Sequence, residues 1–414
     1  MAASALVRLG WLFGALYFLQ GLVEPGDGLV AQPSRALLER SGHGVGQIGD
    51  AMLVAGLPWA IKPIFGLVSD AYPIAGSRRR SYLVLAGAVA AAALAILAAV
   101  PVAAGGAAFV GCLLVATAAI AFADVVVDAH MVEQAQPRGL TGPIQAIQWG
   151  AIYAAGALAG WLGGRICEAG TFHLAFGAAA VGGLATLALG LACVREGPPA
   201  AGPGAAPVGV RAAARELAAA LGDPGLRATL VFLMLWSFSP GYGAVLDFHV
   251  TRTLGLAEGT YGDALAVQSL ASAAGCAVYG ALSRRISFHG LLHAALALGA
   301  ASALAYAAVA DVASLLWVSA ASGAAYMIAG LALLDLAARV CPPRLAGSLF
   351  ALLMAAQNLS LSVATWLGGH VYEAMAVEVG GRAAYAALAA AGAATSAGCW
   401  LLLPAVRRCR GAAG

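Results

Sequence analysis

Long apolar segments follow one another along the whole chain, and short polar or charged stretches separate them. A helix needs about 20 mostly apolar residues to cross the hydrocarbon core of a bilayer. The pattern therefore predicts twelve transmembrane helices. They lie near residues 9–31, 48–69, 81–101, 105–131, 142–164, 172–194, 226–248, 261–283, 289–309, 312–338, 346–370 and 383–405.

A long polar stretch divides these segments into six and six. Residues 198–224 are rich in Pro, Gly and Ala, which predicts a cytoplasmic linker ending in a short amphipathic helix. The sequence GQIGDAML (46–53) before this stretch is echoed by GTYGDALA (259–266) after it. We therefore predict an all-α integral membrane protein with two pseudo-symmetric six-helix bundles, residues 1–197 and 225–414.

A Pro-Gly-x-Gly run interrupts the first segment of each bundle: PGDG at 25–28 and PGYG at 240–243. Such a run breaks the hydrogen-bond ladder of a helix. Matching breaks in two halves are typical of the central binding site of a transporter. The alternative is that both runs are helix ends at the outer surface, where Pro and Gly are tolerated.

Composition supports the membrane assignment. Hydrophobic residues make up 62% of the chain and charged residues 10%, against roughly 25% charged in soluble proteins. Mean hydropathy is +0.87. The net charge of +3 and the scattered arginines give no basis for nucleic-acid binding. The seven cysteines show no metal-ligand spacing, so neither a metal nor another cofactor is expected.

The arginines predict the orientation of the chain. If the N-terminus is cytoplasmic, sixteen arginines face the cytoplasm and five face outside, in agreement with the positive-inside rule. Both termini are then cytoplasmic, and the plasma membrane of a bacterium is the expected location. The five outward arginines are Arg35, Arg40, Arg165, Arg252 and Arg382.

The loop between the second and third segments carries a glycine, an aspartate four residues later and a basic cluster. This spacing resembles the loop signature of the major facilitator superfamily, although the inserted AYPIAGS makes the loop longer. In that superfamily the loop closes the cytoplasmic mouth, so the resemblance implies a gate. Its residues here are Gly66, Asp70, Arg78, Arg79 and Arg80.

Four stretches in both halves occur in the order found in one family. They are LPWAIKPIFGLVSDAYPIAGSRRRSYL (57–83), AFADVVVDAHMVEQA (121–135), IQAIQWG (144–150) and LDLAARVCPPRLAGSLFALLMAAQN (334–358). Together they resemble the folate–biopterin transporter family of the major facilitator superfamily. The resemblance implies a secondary active transporter that moves folate, biopterin or a related small organic anion by alternating access. We expect a monomer surrounded by membrane lipid.

Other classes of protein fit less well. No P-loop precedes the single lysine and no H-E-x-x-H motif occurs, so neither an ATP-driven pump nor a zinc-dependent intramembrane enzyme is expected. The remaining alternatives are a non-transporting membrane sensor or assembly protein, and a carrier for an unrelated small solute.

Carboxylates inside the predicted spans are candidate binding groups, because charge is expensive in a membrane. Glu24 and Asp27 are three residues apart, Asp124 and Asp128 are four apart, and Asp247 lies in the second half. A carboxylate accepts the flat N–H edge of a pterin ring bidentately, as it accepts arginine. The alternative roles are ion pairs that hold helices together or, for the first pair, a position at the wet outer surface.

Lys62 is the only lysine in the chain, and it lies within an apolar segment. A lysine at the membrane centre costs about 3 kcal/mol. One interpretation is that Lys62 pairs with Asp124 or Asp128 in the empty site and with an anionic substrate in the loaded site; the other is that it snorkels to the cytoplasmic surface. Gln148 and Trp149 are further candidates for the cavity wall, with Gln148 alternatively linking helices.

Asp124 and Asp128 are also the candidate proton site. Two neighbouring carboxylates in a poorly hydrated place do not both ionise easily, so they are expected to titrate as a coupled pair. Lys62 would lower the pKa of the pair as it approaches and release the proton when substrate draws it away, which gives proton-coupled symport. The alternative is a fixed ion pair between Asp128 and Arg79 or Arg80.

Overall fold

The computed structural model describes residues 2–99, 106–135, 138, 140–196, 215, 219, 221–282, 287–340 and 346–406. The side chain of the predicted gate residue Asp70 lies outside the described part of the chain. Most of the predicted linker, residues 198–224, also lies outside it.

Helices build both halves of the described chain. Those of the first half are α1 Ala2–Val23, α2 Ala31–Arg40, α3 Val45–Ala60, α4 Lys62–Ala71, α5 Arg80–Ala99, α6 Ala107–Ala135, α7 Thr141–Ala169 and α8 Phe172–Cys193. Those of the second half are α9 Pro224–Ser237, α10 Ala244–Phe248 with a π turn His249–Thr253, α11 Glu258–Leu282, α12 Phe288–Ala307, α13 Val312–Val340, α14 Ala346–Val379 and α15 Gly381–Val406.

Each of the twelve apolar segments predicted from the sequence contains helix in the part of the chain that the structure describes. By length and composition, nine helical stretches of the described chain are able to cross a membrane, and one of these joins α3 and α4. The other three predicted segments contain α7, α9 with α10, and α11. Each half therefore contributes six segments, and the all-α fold is confirmed.

The first and seventh segments are broken where the Pro-Gly-x-Gly runs predict. In the predicted segments 9–31 and 226–248, α1 ends at Val23 and α9 at Ser237, shortly before the runs. In the first run, a Cβ on Gly28 would lie only 2.8 Å from the carbonyl oxygen of Leu22. Only glycine fits so close to the backbone of the preceding helix.

The halves meet along helices that carry small residues. A Cβ on Gly160 of α7 would lie 3.0 Å from the carbonyl oxygen of Gly262 on α11, so the two backbones are nearly in contact. On the other side, Gly49 of α3 faces the backbone of Trp366 on α14. These close approaches set the halves against each other along the α7–α11 and α3–α14 pairs.

The two ends of the molecule are named here by one residue each. The Arg35 end carries α2, α10 and the beginning of α11. The Arg79 end is the opposite one, where α5 begins. Neither name specifies a side of the membrane.

Candidate functional site

Lys62 lies at a break in the second transmembrane segment and pairs with an aspartate of the fourth. Pro63 cannot donate a backbone hydrogen bond, so the helix is interrupted at Ile61 and restarts as α4 at Lys62. The Lys62 ammonium forms an ion pair with Asp124 of α6, and both side chains are largely buried. It also lies 4.8 Å from the ring centroid of Trp59, within the range of a cation–π interaction.

Side chains of α1 complete the carboxylate cluster. Gln20 Nε2 donates to Asp124 Oδ1 at 2.6 Å. The Tyr17 hydroxyl donates to the carboxylate of Asp128, one helical turn further along α6. Each predicted aspartate therefore has a neutral donor, Asp124 also pairs with Lys62, and Asp128 interacts electrostatically with both of them, so the three residues form one cluster.

The other predicted carboxylate pair continues this cluster toward the Arg35 end. Trp59 Nε1 donates to Glu24 Oε1 at 3.1 Å, and the backbone N–H of Asp27 donates to Glu24 Oε2 at 2.6 Å. We call the connected set the polar strip. It comprises Tyr17, Gln20, Glu24, Asp27, Trp59, Lys62, Asp124 and Asp128.

The Asp27 end of the polar strip faces the second half. The Asp27 side chain is exposed, yet it interacts electrostatically with Tyr242 and Tyr326, which belong to the second half. Tyr326 is itself 57% exposed. Asp27 therefore lies close enough to the second half to interact with its charges and dipoles.

The fifth segment adds aromatic side chains to the interface between the halves. Trp149 stacks on Tyr153 with ring centroids 6.1 Å apart. The Tyr153 hydroxyl donates to Met327 Sδ at 2.6 Å, across to the second half. Gln148 is buried, and its Nε2 atom has no hydrogen-bond partner among the described residues, so it takes no part in the polar strip.

Asp247 lies apart from the polar strip, in an ion pair with the first half. Arg35 Nε donates to Asp247 Oδ2 at 2.8 Å, and both residues are buried. Three further ion pairs cross between the halves at the same end. We call the set the cross-half lock: Arg35–Asp247, Arg40–Glu258, Arg165–Asp263 and Arg252–Glu39. Four of the five arginines predicted to face outside are its cations.

Arg79 pairs within the first half. Its guanidinium donates to Glu133 at 2.8 Å and to Ser69 Oγ at 3.1 Å, and Arg79 is 5% exposed. The Arg79 partner is thus Glu133, whereas Asp128 contacts Tyr17. A Cβ on Gly66 would be 3.5 Å from Val125 Cγ1 of α6, an ordinary contact distance.

Glu196 caps the beginning of α5. It accepts the backbone N–H groups of Arg78, Arg79 and Arg80 at 2.8, 2.9 and 2.6 Å, and the Ser77 hydroxyl. Partial burial opposes ionisation, but these hydrogen bonds lower the pKa of Glu196 below its ordinary value. The carboxylate stays ionised at neutral pH and holds the basic cluster in place.

Sequence reasoning missed several members of these sites. Tyr17 and Gln20 are three residues apart on α1, and the predicted Glu24 follows Gln20 by four residues just beyond the end of that helix, so this polar stripe was a usable signal. Arg35 was counted only as an outward charge. Its partner lies 212 residues away, and no local pattern marks that pairing.

The fold matches solved transporters at low sequence identity. The nucleoside transporter NupG superimposes with a TM-score of 0.72 at 12% identity, over 96% of this chain and 99% of that one. The D-xylose-proton symporter gives 0.73 at 15% identity, over 98% and 99%. The protein is thus a multi-pass membrane protein with the major facilitator fold.

The BT1 family model matches residues 34–391, and the chain belongs to this family. A folate-biopterin transporter from Synechocystis sp. is 28% identical over 358 residues, which are 84% of this chain and 71% of that protein. Family and fold together establish a secondary transporter and not an enzyme, and they confirm the resemblance seen in the sequence motifs.

Proposed function

We propose that this transporter moves folate, biopterin or a related small organic anion across the plasma membrane of a bacterium, driven by a proton gradient and acting as a monomer in membrane lipid. The name of its Synechocystis relative supports this substrate class. The observation that carries the proposal is the polar strip, which places a lysine, carboxylates and an aromatic ring in one connected set.

The polar strip suits both parts of a folate-like molecule. The carboxylates of Glu24 and Asp27 offer acceptors for the flat N–H edge of a pterin ring. Tyr242 and Tyr326, on the second half, supply aromatic surface on which such a ring packs. Lys62 supplies the cation for an anionic group once the substrate draws it from Asp124.

The cross-half lock supports alternating access. Every cross-half ion pair found among the described residues lies at the Arg35 end, so that end is closed. The arginine count assigns the Arg35 end to the outside and both termini to the cytoplasm. The state is therefore closed to the outside.

The loop at the Arg79 end is the proposed cytoplasmic gate. In the opposite state Gly66 and Asp70 would meet the beginning of α14, whose free N–H groups favour an anion. Glu196 already fixes the backbone of the arginines in this loop. Asp70→Asn is expected to weaken cytoplasmic closure and slow exchange, and unchanged exchange would remove Asp70 from the gate.

Asp124 and Asp128 are the proposed proton site. They lie one helical turn apart, and Lys62 contacts only the first of them in the observed ion pair. Substrate binding that moves Lys62 changes the charge balance of the pair, and this couples a proton to the substrate.

Uptake by purified protein in liposomes tests the proposal. Radiolabelled folate, biopterin and lactate are supplied outside, with and without an inward proton gradient, and protein-free liposomes are the control. We expect the gradient to drive accumulation of folate or biopterin but not of lactate. Failure of both pterin compounds, with lactate or another solute accumulating, would reassign the substrate. No accumulation of any solute, and no counterflow, would favour the non-transporting sensor.

A further inference from the structure

An aspartate and a histidine join the two halves at the Arg35 end, outside the cross-half lock. Asp50 of α3 accepts two contacts on the same oxygen, Oδ1: Trp366 Nε1 donates at 2.7 Å, and His370 Nε2 lies at 2.8 Å. Trp366 and His370 both belong to α14. The side chains of Asp50 and His370 are 52% and 43% exposed.

A second carboxylate lies on the other side of the imidazole. Glu373, one turn further along α14, accepts the backbone N–H of Gly46 at 3.1 Å. A Cβ on Gly46 would lie 2.7 Å from His370 Nδ1 and 2.6 Å from Glu373 Oε2. The glycine therefore allows α3 to approach both groups, and each ring nitrogen has a carboxylate in its neighbourhood.

Protonation of the His370 imidazole changes the strength of its contact with Asp50. A neutral imidazole donates through one nitrogen only, whereas the cation donates through both and carries a charge. Histidine is the side chain that ordinarily changes charge between pH 5 and 8. A proton on His370 turns a hydrogen bond between the halves into an ion pair.

We propose that Asp50, His370 and Glu373 form a proton-binding latch between the halves, in which protonation of His370 favours the state closed at the Arg35 end. The latch is separate from the Asp124–Asp128 site. It is a second site at which a proton acts on the transport cycle. A proton bound there shifts the equilibrium between the open and closed states and does not act through the substrate.

The neighbouring ion pairs of the cross-half lock differ from the latch in the kind of cation. The cross-half lock consists of arginine–carboxylate pairs, and arginine keeps its charge throughout the physiological range. Asp50 and Glu373 are the charged residues whose contacts define the latch. His249 of the π turn stacks on Tyr385 and faces Tyr372, so its ring contacts are with tyrosines and not with the carboxylates of the latch.

The expected effect is small because the pair is exposed. Solvent-exposed ion pairs change an equilibrium by about two- to fivefold at most. By linkage, the closed state binds the proton more tightly than the open state by the same factor. Acid should therefore reduce the open fraction by about two- to fivefold, and high salt should reduce this difference.

A buried cysteine reports the opening of the Arg35 end. Val45 is 2% exposed and packs in a cluster with Val245 and Tyr372 of the second half, so Val45→Cys reacts with a thiol reagent when the halves separate. The measurement uses the full chain, free of its natural cysteines, in lipid nanodiscs, where a maleimide reaches both faces. Rates at pH 5.5 and 7.5 are divided by those of Ser41→Cys, an exposed position, to remove the ionisation of the thiol itself.

We expect the normalised rate to be two- to fivefold lower at pH 5.5, and His370→Gln to abolish this difference. Glutamine keeps an N–H donor for Asp50 but does not titrate. His173→Gln, which changes an exposed histidine at the start of α8, should leave the difference intact. Asp50→Asn provides a second variant, which should reduce the difference.

A parent without pH dependence, or a His370→Gln variant with the parent's pH dependence, would overturn the latch. The assay contains no substrate and no proton gradient. Its result is therefore independent of whether the proposed substrate and proton site are correct.

Discussion

The polar strip and the cross-half lock both contain charged side chains. The polar strip connects residues of one half, whereas the cross-half lock connects the two halves. Every member of the polar strip lies in the first half, on α1, α3, α4 or α6 or in the turn that follows α1. Every ion pair of the cross-half lock has one partner in each half. The same kinds of residues thus form one set inside a rigid unit and another set between two units.

This difference separates binding from gating. When two rigid halves rock against each other, contacts within a half survive and contacts between halves break. The helices that carry the polar strip would then stay together through the cycle, as the proposed substrate and proton site requires. The cross-half lock has to open, so it biases which end of the protein is closed.

The largest effect is expected from Arg35→Gln, which breaks the buried pair of the cross-half lock. Removing one partner of a buried ion pair leaves an uncompensated charge and costs about 3–5 kcal/mol. The cost falls on the closed state, so the Arg35 end should open and Val45→Cys should react much faster. The double variant Arg35→Gln/Asp247→Asn removes both charges and should react more slowly than the single variant.

Arg382→Gln is the matched control, because Arg382 is an outward arginine outside the cross-half lock. It should leave the labelling rate of Val45→Cys unchanged. A parent-like rate in Arg35→Gln would mean that the lock does not hold the Arg35 end closed. The cross-half lock would then have no gating role to set against the binding role of the polar strip.

A second large effect is expected from Lys62→Gln, in the polar strip. Asp124 would remain buried with Gln20 as its donor, at a cost of about 3 kcal/mol. Thermal stability in detergent and substrate exchange should both fall. In Lys62→Gln/Asp124→Asn, the charge is balanced again, so stability should recover while exchange does not.

That last difference tests whether Lys62 has a function beyond pairing. Exchange that recovers together with stability would make the pair structural. Labelling of Val45→Cys should stay near the parent rate in both variants, because the polar strip lies within one half. A large change in labelling would mean that the strip also sets the equilibrium between states.

Much of this organisation was predictable from the sequence, because its causes are local. Twelve apolar segments and the two glycine–proline breaks follow from backbone hydrogen bonding in lipid. Asp124 was one of the two predicted partners of Lys62. An isolated lysine in an apolar segment is costly, so a nearby anion was expected.

The rest depended on contacts between distant parts of the chain. Asp247 was predicted as a binding group, but its partner Arg35 is in the other half, and only the packing of α2 against α10 and α11 brings them together. Asp50 and His370 are separated by 320 residues and were not singled out at all. Exposed polar residues of this kind give no local sign of what they meet across an interface.

A moderate effect is expected when the two aspartates of α6 are compared. Asp124→Asn removes the anionic partner of Lys62, whereas Asp128→Asn leaves the Tyr17 hydroxyl a neutral amide oxygen as its acceptor. If they share a coupling proton, at least one variant should keep downhill exchange but lose proton-driven accumulation and its pH dependence. Both processes can be followed in the same liposomes. Parent-like accumulation in both variants would place the proton site elsewhere.

The smallest effect is expected from Arg165→Gln, which removes an exposed member of the cross-half lock. Arg165 Nη2 lies 3.1 Å from Asp263, but the two side chains are 42% and 39% exposed, against 10% and 12% for Arg35 and Asp247. Water replaces the lost partner of an exposed charge, so the change should be about 1 kcal/mol or less. Labelling of Val45→Cys should rise by about fivefold at most, and raised salt should bring the parent closer to the variant. An effect as large as that of Arg35→Gln would show that the burial of a pair does not determine how strongly it holds the Arg35 end closed. The four pairs would then open as one cooperative unit.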